Sequence, residues 1–171
     1  MPNILTINNK KEESFLRRKV PEFNWGKVSP KEIQDLIKKM RAIIKKENGV
    51  GLSANQLGLS WRFFITEIPG NKNKLKFYAI FNPEIVKVSK NKTILEEGCL
   101  SVPGIWGLVE RPGQIILTGF DKNGRKLKIK AWDLLARVFQ HEVDHLNGIL
   151  FIDRIKEVSP RISLTSSKIN L

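Results

Sequence analysis

Apolar residues recur as Ile33, Leu36, Ile37, Met40, Ile43 and Ile44, a stripe with the period of a helix. Ser29 stands just before it, Pro30 in its first turn, and Glu32 three places after Ser29, which predicts a capping box. Lys31, Lys38, Arg41 and Lys45 fall on the opposite face, and Gly49 is expected to close the helix in a left-handed conformation. The stretch GVGLSANQLG then reads as a loop. Beyond it the helical period gives way to short β-type runs: WRFFITEI, LKFYAIFNP, EIVKVS, TILEEGCLSVPG, GLVERPGQIILTGFD and RKLKIKAW. Asp121-Lys122-Asn123-Gly124 predicts a hairpin turn between the last two. The helical pattern returns from about Asp133 to Asn147 and stops at Gly148. Helix, many strands, helix is the order of an α+β fold, with antiparallel sheets packed around a central helix.

No internal repeat and no linker interrupts the 171 residues, so a single catalytic-sized domain over 1–171 is expected. Residues 1–28 read as an irregular N-terminal segment and 154–171 as a polar C-terminal tail without a long helix.

Composition narrows the class. Hydrophobic residues make up 41% and charged residues 27%, the balance of a soluble globular protein. No apolar run approaches the length that spans a bilayer, and MPNILTINNKKEESFLRRK lacks an apolar signal core. A cytoplasmic, non-membrane protein is therefore expected. The one cysteine excludes an internal disulfide and fits a reducing compartment. A net charge of +13 attracts polyanions such as a ribosomal surface. The basic pairs are scattered, however, and no aromatic platform for single strands accompanies them. Charge alone names no function here.

The scarce residues are more telling. Both histidines lie in Gln140-His141-Glu142-Val143-Asp144-His145. Positions four apart share a helix face, so His141 and His145 can reach one metal ion, with the Glu142 carboxylate beside it. Two solvated surface histidines would be the plainer explanation of the spacing alone, and the adjoining glutamate weakens it. A catalytic site of this kind needs a third protein ligand. Downstream the chain offers Glu157; upstream it offers Cys99, in EEGCLS, whose thiolate is a soft ligand for zinc or ferrous iron. A lone cysteine is ordinarily a small buried hydrophobe, but the flanking Gly98 permits close backbone approach. In GVGLSANQLG two glycines expose bare backbone and Gln56 supplies a neutral donor and acceptor. It is not a phosphate loop, since no lysine and serine or threonine follow in P-loop order.

Together these segments resemble one family, the peptide deformylases. Gly49-Val50-Gly51-Leu52-Ser53-Ala54-Asn55-Gln56 resembles its Gly-φ-Gly-φ-Ala-Ala-x-Gln motif, with Ser53 in place of the first alanine. Glu97-Gly98-Cys99-Leu100-Ser101 and Gln140-His141-Glu142-Val143-Asp144-His145 match the other two, in the same order, and the likeness runs from about residue 30 to residue 153. The resemblance implies the peptide deformylase fold and removal of the formyl group from formylmethionyl nascent polypeptides, releasing formate. It implies one divalent metal, natively Fe2+ with Zn2+, Ni2+ or Co2+ able to replace it, held by Cys99, His141 and His145. Glu142 would move the proton, and Gln56 with the backbone N–H of Leu100 would stabilise the oxyanion. Val50 and Gly51 would bind substrate backbone, while Val50, Leu135 and Val138 would line the methionine pocket. Glu97 is placed with the substrate-binding residues, in an ion pair with Arg111, and Trp106 flanks the cleft. A monomer is expected, with the ribosome as a partner through basic charge; the short tail offers no long helix for docking there. Two other classes compete. A zinc endopeptidase shares His-Glu-x-x-His but leaves Cys99 and Gln56 without roles. A basic RNA-binding module explains the charge but not the intact motifs.

Overall fold

The structure, a computed structural model, describes residues 3–70 and 74–158. Three helices, α1 (Lys10–Leu16), α2 (Pro30–Lys46) and α3 (Asp133–Leu146), are joined by eight strands among the described residues. The strands are β1 (Gly51–Ser53), β2 (Phe63–Pro69), β3 (Leu75–Val88), β4 (Lys92–Cys99), β5 (Val102–Pro112), β6 (Gln114–Phe120), β7 (Lys126–Trp132) and β8 (Ile155–Val158). They form an antiparallel five-stranded sheet, β1-β2-β3-β6-β7, and an antiparallel three-stranded sheet, β4-β5-β8. The α+β expectation holds, with α3 at the centre.

α2 begins as the sequence predicts. Ser29 Oγ accepts from the Glu32 N–H and the Glu32 carboxylate accepts from the Ser29 N–H. Its end differs. Asn48 takes the left-handed conformation (φ 51°), and Gly49 instead donates its N–H to Ile44 O at 2.9 Å. Asparagine tolerates this region through its short polar side chain, so the glycine is not needed as the cap. The apolar face of α2 (Ile33, Ile37, Met40, Ile43, Ile44) buries against Leu52, Phe63, Ile65 and Phe81. Each such side chain contributes about 1.5–3 kcal/mol on burial. Phe63 and Phe81 stack at 4.5 Å, and Phe23 meets both edge-on.

Three other expectations need correction. Residues 1–28 are not irregular throughout: Asn9 caps α1, whose Leu16 is fully buried beside Cys99, Val102 and Phe151. The segment then runs along the end of α3, where Val20 N–H donates to Leu146 O at 2.9 Å. GVGLSANQLG is not wholly a loop, because Gly51–Ser53 pairs with Phe64–Thr66 as an edge strand, followed by a 3-10 turn at Ala54–Leu57. A three-residue strand is too short for period-two alternation to show. The polar tail likewise begins with β8, which pairs with β5; the expectation of no long helix further on falls outside the described residues.

Candidate metal centre

Every residue of α3 from Ala136 to Leu146 is buried, although five of the eleven carry charge or imidazole and one an amide. A buried polar group without a partner is costly, so these side chains must find partners in the surrounding strands. Arg137 donates to Glu97 at 2.8 Å, Val109 O at 2.9 Å and Thr93 O at 2.8 Å. Gln140 Nε2 donates to Pro112 O at 2.9 Å. Asp144 accepts from Arg111 at 2.6 Å and from Arg154 at 2.6 and 2.7 Å. Asn55 Nδ2 donates to His145 O at 2.7 Å.

Glu97 lies at the centre of this network. Arg111 grips both its oxygens, at 2.7 and 2.9 Å, and Oε2 lies 3.0 Å from His141 Nδ1. Burial alone would raise its carboxyl, but Arg111 and then His141 outweigh burial and hold it well below the usual carboxylate range. Burial likewise pulls the Arg111 guanidinium down, and Glu97 and Asp144 together leave it raised. Glu97 is fully buried with both oxygens engaged. It therefore orients His141 from beneath, with both oxygens taken and none free for the substrate contact the sequence suggested.

With Nδ1 turned to Glu97, His141 Nε2 is left without a hydrogen-bond partner. Cys99 Sγ, at the end of β4, lies 3.1 Å from His145 Nε2. One ligand atom from each of Cys99, His141 and His145 falls within 4.8 Å of the others, and all three residues are buried. One thiolate and two imidazoles, one with an orphaned nitrogen and an oriented second nitrogen, make a set that fits a divalent transition metal. The two rings differ. Burial lowers His141, but Cys99 and Glu97 outweigh it and lift it to about 10. Burial, then His141 and Arg111, hold His145 well below its ordinary value.

Beside this set stands Glu142, fully buried. Its Oε2 lies 2.9 Å from Ser53 Oγ, and its Oε1 has no partner. Burial pushes its carboxyl up to about 7, against the smaller opposing pull of His141 and the Ser53 hydroxyl. Gly51 exists for this carboxylate: a Cβ there would stand 2.3 Å from Glu142 Oε1 and 3.1 Å from Val138 Cγ1. Gln56 Oε1 accepts from Ser53 N–H at 2.9 Å, which turns Gln56 Nε2 toward Ser101 Oγ at 3.1 Å and Cys99 Sγ at 3.7 Å.

Val50 and Val138 share a buried cluster with Ile68, and Leu134 and Leu135 pack against it. The Val50 carbonyl is occupied by Thr66 Oγ1 at 2.6 Å and Glu67 N–H at 2.9 Å. Strand alternation then points the polar backbone of Gly51 away from β2, at the outer edge of the sheet. Leu100 is half-buried at the turn after β4, and Trp106 lies over Gly98, where a Cβ would meet its ring at 2.7 Å. Sequence reasoning missed Ser53, Arg137, Asp144 and Ile68 as members of this assembly. Arg137 and Asp144 carried a signal, being charges on the same helix as the histidines; Ile68 carried none.

Two buried imidazoles and an adjoining carboxylate on a helix enclosed by antiparallel sheets, with a cysteine sulfur brought to them from the end of β4, define the class: a metal-dependent hydrolase. Residues 1–161 match the family model for polypeptide deformylase. A peptide deformylase of Desulforudis audaxviator is 39% identical over 149 residues, covering 87% of this chain and 92% of the relative. One from Syntrophomonas wolfei is 44% identical over 157 residues, covering 90% and 93%. The crystal structure of peptide deformylase from Thermotoga maritima shares the fold with a TM-score of 0.79 at 34% identity, over 92% of this chain and 99% of that one. A Met-Ala-Ser-bound class I type b peptide deformylase from Acinetobacter baumannii does so with a TM-score of 0.80 at 30% identity, over 89% and 96%. The chain belongs to the polypeptide deformylase family.

Proposed function

We propose that this enzyme deformylates formylmethionyl nascent polypeptides through the residues just described, with Cys99, His141 and His145 holding one divalent metal. The observation that carries the assignment of roles is Glu142: a fully buried carboxylate with one unpartnered oxygen, one residue from His141. When bound, the metal supplies Lewis acidity that makes water nucleophilic near neutral pH. Glu142 Oε1 accepts the proton of the attacking water and delivers it to the departing amine. Gln56 Nε2 and the Leu100 N–H donate to the oxygen on which negative charge develops. The outward backbone of Gly51 pairs with the substrate main chain as an added strand. Val50, Leu135 and Val138, with Ile68, form the apolar wall for the methionine side chain. Formate and a free α-amino group leave.

Fe2+ is the proposed native ion, as the resemblance to the family implies; a thiolate with two imidazoles also accepts Zn2+, Ni2+ or Co2+. Activity of iron-loaded protein is then expected to decay in air faster than that of nickel-loaded protein, since both ferrous iron and its thiolate ligand are open to oxidation. The enzyme acts in the cytoplasm as a monomer, and the +13 charge draws it to the ribosomal surface. Among the described residues no helix is long and apolar enough to cross a membrane.

The test is formate release from formyl-Met-Ala by anaerobically purified protein, paired with metal analysis. Stoichiometric metal without formate release would overturn the reading.

A further inference from the structure

Ser53 stands where the motif this stretch resembles has alanine. Its side chain is fully buried and lies within reach of two acceptors, Glu142 Oε2 at 2.9 Å and Gln56 Oε1 at 3.1 Å. A hydroxyl has one hydrogen to give. Gln56 Oε1 already accepts the Ser53 backbone N–H at 2.9 Å. The Glu142 carboxylate has no other donor among the described residues, and its Oε1 is unpartnered. The contact to Glu142 Oε2 is also the shorter of the two, 2.9 Å against 3.1 Å, so the hydrogen goes to Glu142.

We propose that Ser53 is a positioning residue that fixes the Glu142 carboxylate, holding Oε2 so that Oε1 alone faces the reacting water. The proposal rests on the deformylase roles assigned above. The backbone of Ser53 is set by β1, in register with Phe64 of β2, so the hydroxyl is held by a sheet and not by a mobile loop. Oε1 is then packed over Gly51, where only a missing Cβ leaves room for it. Those two contacts select the orientation of a group that would otherwise turn about its terminal torsion, which is broad for a glutamate. The same residue ties Gln56 into the arrangement: its N–H holds the carboxamide oxygen, and its hydroxyl bridges to the carboxylate. One residue thereby sets the relative placement of the proton carrier and the oxyanion donor.

Ser53→Ala tests this without enlarging a buried side chain. Metal content and KM for formyl-Met-Ala should stay at wild-type values while kcat falls about tenfold, the scale of one buried hydrogen bond. A crystal structure of metal-loaded Ser53→Ala should show the Glu142 carboxylate in more than one orientation. A kcat within about twofold of wild type, or a single unchanged carboxylate orientation, would overturn the proposal. Failure of the deformylase reading is separable: wild-type protein would then release no formate, while the crystallographic comparison would still report whether Ser53 orients Glu142.

Discussion

Glu97 Oε2 lies 3.0 Å from His141 Nδ1, and the two residues are 44 positions apart in the chain. That contact fixes the ring tautomer and leaves Nε2 for the metal. It also makes Glu97 the shared acceptor of His141, Arg111 and Arg137, so its loss leaves Arg137 with neutral acceptors only and Arg111 with Asp144 as its carboxylate partner. Glu97→Gln should destabilise the metal-free protein by about 3–5 kcal/mol at neutral pH and weaken metal binding about 10–100-fold. The pH dependence follows from the depressed carboxyl. Its stabilisation is fully present above the ordinary carboxylate range of about 4 and is lost as pH falls through the depressed folded value. The gap between wild type and variant should therefore narrow in acid. Denaturant unfolding across pH and competitive metal titration check both parts.

Cys99→Ala, His141→Ala and His145→Ala should each lose the metal and nearly all turnover, since each removes one of the three proposed ligands. Cys99→Asp should retain some metal at altered affinity, because a carboxylate is a harder ligand. Metal analysis after dialysis is the measurement; one tightly held equivalent in Cys99→Ala would refute the three-ligand site.

Burial raises the Glu142 carboxyl to about 7, so its ionised form costs stability in the metal-free protein. The sign is opposite to that of Glu97. The cost is absent below the unfolded carboxyl's range and fully present above the folded value, where it is on the order of 3 kcal/mol. Glu142→Gln removes the charge at nearly constant shape and should melt higher than wild type in mild alkali, with the difference vanishing in acid. It should keep the metal and lose turnover. Equal melting temperatures across the pH series would contradict the buried-charge assignment.

Gln56→Ala should keep metal and KM and lower kcat about 10²–10³-fold, the pattern of a contact made in the transition state. Steady-state kinetics on formyl-Met-Ala decide it; an unchanged kcat removes Gln56 from the oxyanion site.

Much of this molecule was legible in the chain. The α2 stripe and its Ser29–Glu32 cap, the Asp121–Gly124 turn and the helix of the two histidines depend on contacts a few residues apart, which local pattern records. The three-motif resemblance named Cys99 as third ligand, which spacing alone had left open against Glu157. What the tertiary structure decided depends on long-range packing. The sequence could pair Glu97 with Arg111, but only the burial of both beneath α3 turns Glu97 onto His141 Nδ1. It could mark Gly51 as bare backbone, but the reason is the Glu142 carboxylate, brought there from 91 residues away by the packing of α3 on β1. Ser53 read as a small departure from a motif; its hydroxyl gained a partner only when that same packing closed a buried space with one ionisable acceptor and one hydrogen to satisfy it.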